Sequence, residues 1–155
     1  MSLFPWQIRT AVSSDVTLLH AIARASFAHP WNSEQFRGEL AQGGVVALMA
    51  FSPTGAAGGY LCLSCTGDEA EIRSLAVVPH LRCRGLGTLL LNEGVHRAGL
   101  AGARKVFLEV ANHNRSALQL YRKNGFRSVG LRRDYYGPSN DASILVIDLP
   151  REPVP

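Results

Sequence analysis

Six residues, Arg82-Cys83-Arg84-Gly85-Leu86-Gly87, combine two cations with two glycines between an apolar segment (Leu75-Ala76-Val77-Val78-Pro79) and an apolar-periodic one opening at Thr88. That order reads as a strand, a tight turn and the start of a helix. Glycines let the backbone fold closely around a ligand. The unpaired amides and partial positive charge of a helix N-terminus favour an anion there. A Walker loop would need a Lys after its last glycine, and none stands near Gly87. A dinucleotide fingerprint would need a small residue where Leu90 stands. Read alone, the run fits a phosphate loop and an ordinary glycine-containing connection equally well.

Three further side chains have proton-transfer chemistry. Glu109 interrupts the apolar run Val106-Phe107-Leu108-Glu109-Val110, where a carboxylate faces either solvent or a cleft. In a cleft, partial burial would raise its pKa and make it a better base. Glu71 stands just ahead of the strand-like Ile72–Val77 and is a second such carboxylate, or merely a strand-entry charge. Tyr121 lies four residues after Ala117 and shares its helix face. Its ring is either a plain core aromatic or one whose hydroxyl reaches a cleft, protonated at neutral pH.

These residues need elements to carry them. Ile8–Ala11 predicts a first strand, and Ser13 or Ser14 with Asp15 can cap a helix running to about Phe27. After His29-Pro30-Trp31, Asn32 and Gln35 resemble a capping box for a second helix. Val45–Phe51 and Ala57–Ser64 flank a turn at Ser52-Pro53-Thr54-Gly55 and predict a hairpin, followed by a strand over Ala70–Val78. The helix after the glycine turn extends to about Gly99, and Lys105–Val110 is another strand. Asn114 predicts an N-cap and Gly125 a C′ residue for a helix ending at Asn124. Strands near Arg127–Arg133 and Ile144–Leu149 close an α/β chain whose early strands favour hairpins.

With 155 residues the chain predicts one domain over 1–155, with enough apolar content (46%) for a substantial core. The net charge of +4 suits an anionic ligand, but without basic stripes and aromatic platforms it predicts no direct nucleic-acid contact. No apolar run reaches a membrane span, and Met1–Trp6 lacks the marks of a secretory signal, so a cytoplasmic protein is expected. The odd count of three cysteines is no disulfide framework. Cys62 and Cys65 have C-x-x-C spacing, but three residues apart on a strand they face opposite sides, so they read as structural thiols. No metal site is expected.

Taken together, the glycine turn and two later segments resemble the GNAT acetyltransferase superfamily. Arg82-x-x-Gly85-x-Gly87 is similar to its acetyl-CoA pyrophosphate loop. Asn114, Ala117, Leu120, Tyr121, Gly125 and Phe126 match its Asn-x-x-Ala-x-x-Leu-Tyr-x-x-x-Gly-Phe signature. The likeness covers nearly the whole chain in order. Within the superfamily the chain resembles the ribosomal-protein N-terminal alanine acetyltransferases (RimI type) through Pro30-Trp31-Asn32, Leu108-Glu109-Val110 and Arg132-Arg133-Asp134-Tyr135-Tyr136. Asn32, Asp134 and Cys83 depart from the usual Ser, Asn and Arg.

The resemblance implies a GNAT fold, a mixed but mostly antiparallel sheet of six to seven strands with flanking helices. It also implies acetyl transfer from acetyl-CoA, without metal, to the N-terminal α-amine of a protein, a ribosomal protein above all. A GNAT acting on a small amine, or a non-catalytic acyl-CoA sensor, are the other readings. Glu109 is implied as the base, with Glu71 its rival, and Tyr121 as the acid. Cofactor contacts fall to Leu75, Ala76, Val77, Arg82, Cys83, Arg84, Gly85, Leu86, Gly87, Thr88, Asn114 and Tyr121. Trp31, Tyr135 and Tyr136, with Glu71, would line the acceptor groove. A monomer and a weak dimer both remain open.

Overall fold

The computed structural model describes residues 5–150, so the Met1–Phe4 stretch examined for a signal lies outside the described residues. In chain order the elements are β1 (Gln7–Thr10), α1 (Val16–Ser26), α2 (Ser33–Ala41), β2 (Val45–Phe51), β3 (Ala57–Thr66), β4 (Glu69–Val77), α3 (Leu86–Leu100), β5 (Lys105–Ala111), α4 (Arg115–Lys123), β6 (Arg127–Arg132) and β7 (Ala142–Asp148). The strands form one seven-stranded sheet in the order β1-β2-β3-β4-β5-β7-β6. Every neighbouring pair is antiparallel except β4–β5, whose parallel pairing needs the α3 crossover. The expected mixed sheet and flanking helices are therefore present.

Alternation along the strands divides the core between the two faces. Leu61 and Leu63 of β3, with Val106 and Leu108 of β5, pack beneath Leu90, Leu91 and Leu118 of α3 and α4. Met49, Tyr60 and Cys62 pack with Leu19, Ile22 and Phe36 of α1 and α2 on the other face. Cys65 touches the α3/α4 cluster, so the two cysteines do face opposite sides. Burial pushes the Cys62 thiol up to about 12, which leaves it protonated and unreactive at neutral pH.

Local signals explain the helix ends. Asn32 and Gln35 form the reciprocal capping box, each side chain meeting the other's backbone amide at 2.8 Å. At α1 the serines do not cap. Ser13–Asp15 is a single 3₁₀ turn, and the Asp15 carboxylate accepts from the Val12 amide at 2.8 Å while pairing with Arg9. No helix among the described residues is long and apolar enough to cross a membrane.

One irregularity shapes the centre of the sheet. Leu63 pairs with Ile72 and Cys62 with Ser74, so Arg73 is an extra residue that bulges β4. The bulge reverses the alternation: Ala70 and Ile72 before it, and Leu75 and Val77 after it, all pack on the α3/α4 side. β4 pairs with β5 only from Glu69 to Ile72, opposite Lys105 to Leu108. Beyond that point the strands part, leaving Ser74–Val77 and Glu109–Ala111 unpaired across the gap.

Candidate active site

The glycine turn sits where β4 ends. After a 3₁₀ turn at Pro79–Leu81, Cys83 (φ 61°) and Gly85 (φ 87°) both take the left-handed backbone conformation. Gly85 adopts it without strain, whereas Cys83 is a non-glycine residue in the same region. The Leu89 amide donates to the Gly85 carbonyl at 3.0 Å. The amides of Leu86, Gly87 and Thr88 thus precede the first helical bond and are free to hold an anion. Leu86 is buried and pins the turn to the core, while Arg82, Cys83 and Arg84 are exposed around it. Arg82 Nε donates to the Val77 carbonyl at 3.1 Å.

α4 lies close over this turn. A Cβ on Gly87 would come within 3.3 Å of Leu120 Cδ2, so glycine permits the approach. Asn124 Nδ2 donates to the Leu120 carbonyl (2.8 Å) and to Thr88 Oγ1 (3.4 Å), tying the end of α4 to the start of α3. Sequence reasoning assigned Asn124 only as a helix end. Asn114 caps α4, its Oδ1 accepting from the Ala117 amide at 3.2 Å. β4 offers its backbone edge across the gap: Leu75, Ala76 and Val77 are paired on one side by Leu61, Tyr60 and Gly59 and on the other side by nothing. Free edge amides and an amide-lined turn at its end fit an extended ligand arm that terminates in phosphate.

On the opposite face the strands form a groove of about 430 Å³. Val106, Leu108 and Val110 bury toward α3 and α4, so Phe107 and Glu109 point into this groove beside Glu71 and Arg73. Glu109, with 19% of its side chain exposed, forms an ion pair with Arg132, Nε to Oε1 at 3.2 Å. Arg73 pairs with the buried Glu39 of α2 at 2.5 Å, and its guanidinium lies 5.7 Å from the Trp31 ring. Trp31 packs edge-on against Phe36 at 5.3 Å, which places it on the α2 side of the groove.

Tyr135 and Tyr136 stand on the other flank, in the β6–β7 loop. That loop is braced by Asp134, whose amide donates to Asp141 Oδ1 (2.8 Å) and whose Oδ1 accepts from the Ser139 amide (2.7 Å). Arg132 lies 5.4 Å from the Tyr135 ring, and the two tyrosines meet edge-on at 5.0 Å. Burial raises the Tyr136 pKa, with the Glu109 carboxylate adding to it. Tyr121 is almost wholly buried against Phe126 (5.6 Å), and burial, then Tyr136, pushes its phenol well above the ordinary tyrosine range. Tyr136 is therefore within electrostatic reach of both Glu109 and Tyr121.

Glu109 and Glu71 thus line the groove, Trp31 meets it through Arg73 and Tyr135 through Arg132, and the cofactor candidates gather at the parted strands and the glycine turn. Sequence reasoning missed Glu39 and Arg73, whose pairing depends on the bulge. Arg132 was legible only as part of a motif.

Residues 16–126 match the model of the Acetyltransferase (GNAT) family, so the chain belongs to that family. It is an acetyl-CoA-dependent N-acetyltransferase. The [Ribosomal protein bS18]-alanine N-acetyltransferase of Escherichia coli K12 is 27% identical over 145 residues, covering 92% of this chain and 96% of that one. The solved structure of the E. coli ribosomal-protein-S18-alanine N-acetyltransferase superposes with a TM-score of 0.87 at 23% identity, covering 96% of each chain. Arabidopsis thaliana NAA60 in complex with acetyl-CoA gives a TM-score of 0.84 at 25% identity, covering 93% of this chain and 99% of that one.

Proposed function

We propose that this enzyme acetylates the N-terminal α-amine of a protein in the cytoplasm, with a ribosomal protein as the acceptor. The observation that carries this reading is Glu109 in an open groove whose lining Arg73 lies against Trp31 and whose lining Arg132 lies against Tyr135. An open groove with aromatic sides admits a peptide chain, and the alanine acetyltransferases among the relatives support the choice of acceptor.

Acetyl-CoA, when bound, supplies a thioester whose carbonyl carbon the neutral amine attacks, with the coenzyme thiol leaving. The amides of Leu86, Gly87 and Thr88, with Arg82 and Arg84 at the rim, would hold its pyrophosphate. The free edge of Leu75–Val77 would pair with its arm, and Asn114 stands beside that path. Cys83 contributes backbone rather than charge. Glu109 takes the proton from the acceptor ammonium, directly or through one water. An α-amine with a pKa of about 8 needs only modest help. Tyr121 keeps its proton at neutral pH and donates it to the departing sulfur. Glu71 serves as a groove wall, two residues before the bulge.

Release of free coenzyme A with peptides beginning in Ala or Ser, compared with free amino acids and spermidine, tests the reading. Turnover on the peptides alone is the expected result. Preference for a free amine would replace it with a small-molecule acetyltransferase. Acetyl-CoA binding without turnover on any amine would make the protein a sensor. Glu109→Gln should abolish the acidic limb of the pH–rate profile while Glu71→Gln leaves it in place, and the reverse would exchange their roles.

A further inference from the structure

We propose that Arg132 is a positioning residue that occupies, at Glu109, the place the acceptor's ammonium must take, and that binding exchanges one cation for the other. The proposal rests on the reading of Glu109 as the base.

β6 carries an irregularity between Ser128 and Gly130, which sets Arg132 opposite Ala142 of β7. The small alanine lets the arginine lie across β7 and reach β5. It meets Glu109 as an ion pair, Nε to Oε1 at 3.2 Å, and 55% of its side chain is exposed. An ion pair from a half-exposed arginine is weakly held. Glu109, by contrast, is enclosed enough that a lone carboxylate would benefit from a nearby cation.

The other groups facing Glu109 leave Arg132 as its counter-ion. From β4 come Glu69, Glu71 and Arg73, and Arg73 is already committed to Glu39. β7 presents Ile144, which carries no charge. Tyr135 and Tyr136 come from the β6–β7 loop, and burial keeps the Tyr136 phenol protonated.

A guanidinium cannot accept a proton, so while it holds Glu109 it competes with the ammonium that must lose one. The guanidinium already lies over the Tyr135 ring at 5.4 Å, a contact that can hold it when it leaves Glu109. The Glu109–Arg132 pair is thus a counter-ion lock that a cationic N-terminus opens and a neutral groove ligand does not.

The test is steady-state acetylation of an N-terminal alanine peptide by Arg132→Gln, Arg132→Lys and Glu109→Gln across pH 6–9. Removing the competing cation should lower the peptide KM of Arg132→Gln by about threefold, with kcat within about twofold of wild type. Arg132→Lys should stay near wild type, since it keeps the charge. Acetyl-CoA should stabilise all the variants against heat as it does wild type, which confirms folding. An unchanged or raised KM in Arg132→Gln would overturn the proposal, as would identical behaviour of the Lys and Gln variants. If Glu109→Gln keeps the acidic limb, the base assignment itself fails. If that limb is lost there but the KM of Arg132→Gln does not fall, only the lock fails.

Discussion

Replacing Tyr121 by Phe separates its packing from its proposed chemistry. The ring fills the core beside Phe126 at 5.6 Å, and Phe keeps that contact. The hydroxyl makes no hydrogen bond to protein among the described residues and is not fully buried. Its removal should therefore change stability by no more than about 0.5 kcal/mol. The chemical step should respond far more. General-acid catalysis contributes roughly 10²- to 10⁴-fold. Because the oxygen is not sealed from solvent, water can substitute in part, and the lower end applies: a loss of about 100-fold, or about 2.7 kcal/mol in the barrier. The assay is single-turnover release of free coenzyme A, read with a thiol-reactive chromophore, beside calorimetric titration of acetyl-CoA. Binding should stay within about twofold, because the glycine turn is untouched. Since the phenol is pushed above its ordinary range, it remains a proton donor at every pH below about 10. Wild type and variant should then differ by a constant factor from pH 6 to 9. A rate within about threefold of wild type would refute the role of Tyr121, and so would a gap that closes as the pH rises toward 9.

Two other substitutions test the frame that carries the site. Gly59→Ala would place a Cβ 2.7 Å from the Ala76 carbonyl oxygen, so β4 must shift. A loss of about 1–3 kcal/mol, read as a lower urea midpoint, should accompany weaker acetyl-CoA binding, and an unchanged midpoint would contradict this close packing. Asp15→Asn keeps a side-chain acceptor for the Val12 amide but removes the charge that pairs with Arg9. Arg9 holds the Asp15 carboxyl below the usual range, so its contribution is complete above the unfolded value of about 4 and is lost as the pH falls through the lowered folded value. The variant should be about 1 kcal/mol less stable at pH 7, and the difference should shrink steadily below pH 4. A difference constant with pH would rule out the ion pair as its cause.

The amino-acid sequence determined what depends on neighbours within one turn or one strand. The capping pair Asn32–Gln35, the Asn114 cap and the glycine turn all follow from contacts three or four residues long. Cys62 and Cys65 facing opposite sides follows from alternation, since the extra residue at the irregularity between Cys62 and Leu63 belongs to β4 and leaves the alternation of β3 intact. The serines before α1 failed as caps because Asp15, a few residues from Arg9, gains both an amide and a guanidinium by turning back. What only the tertiary structure decided is the chemistry of the groove. Arg73 is an extra residue only because β3 and β4 pair in a particular register, and its partner Glu39 is 34 residues away. Arg132 reaches Glu109 only because β7 inserts between β5 and β6 with an alanine at the crossing. The parting of β4 and β5 belongs to neither strand alone. Local spacing encodes hydrogen bonds along the chain, whereas register between distant strands is set by burying both faces of the sheet together, and the site lies where that register breaks.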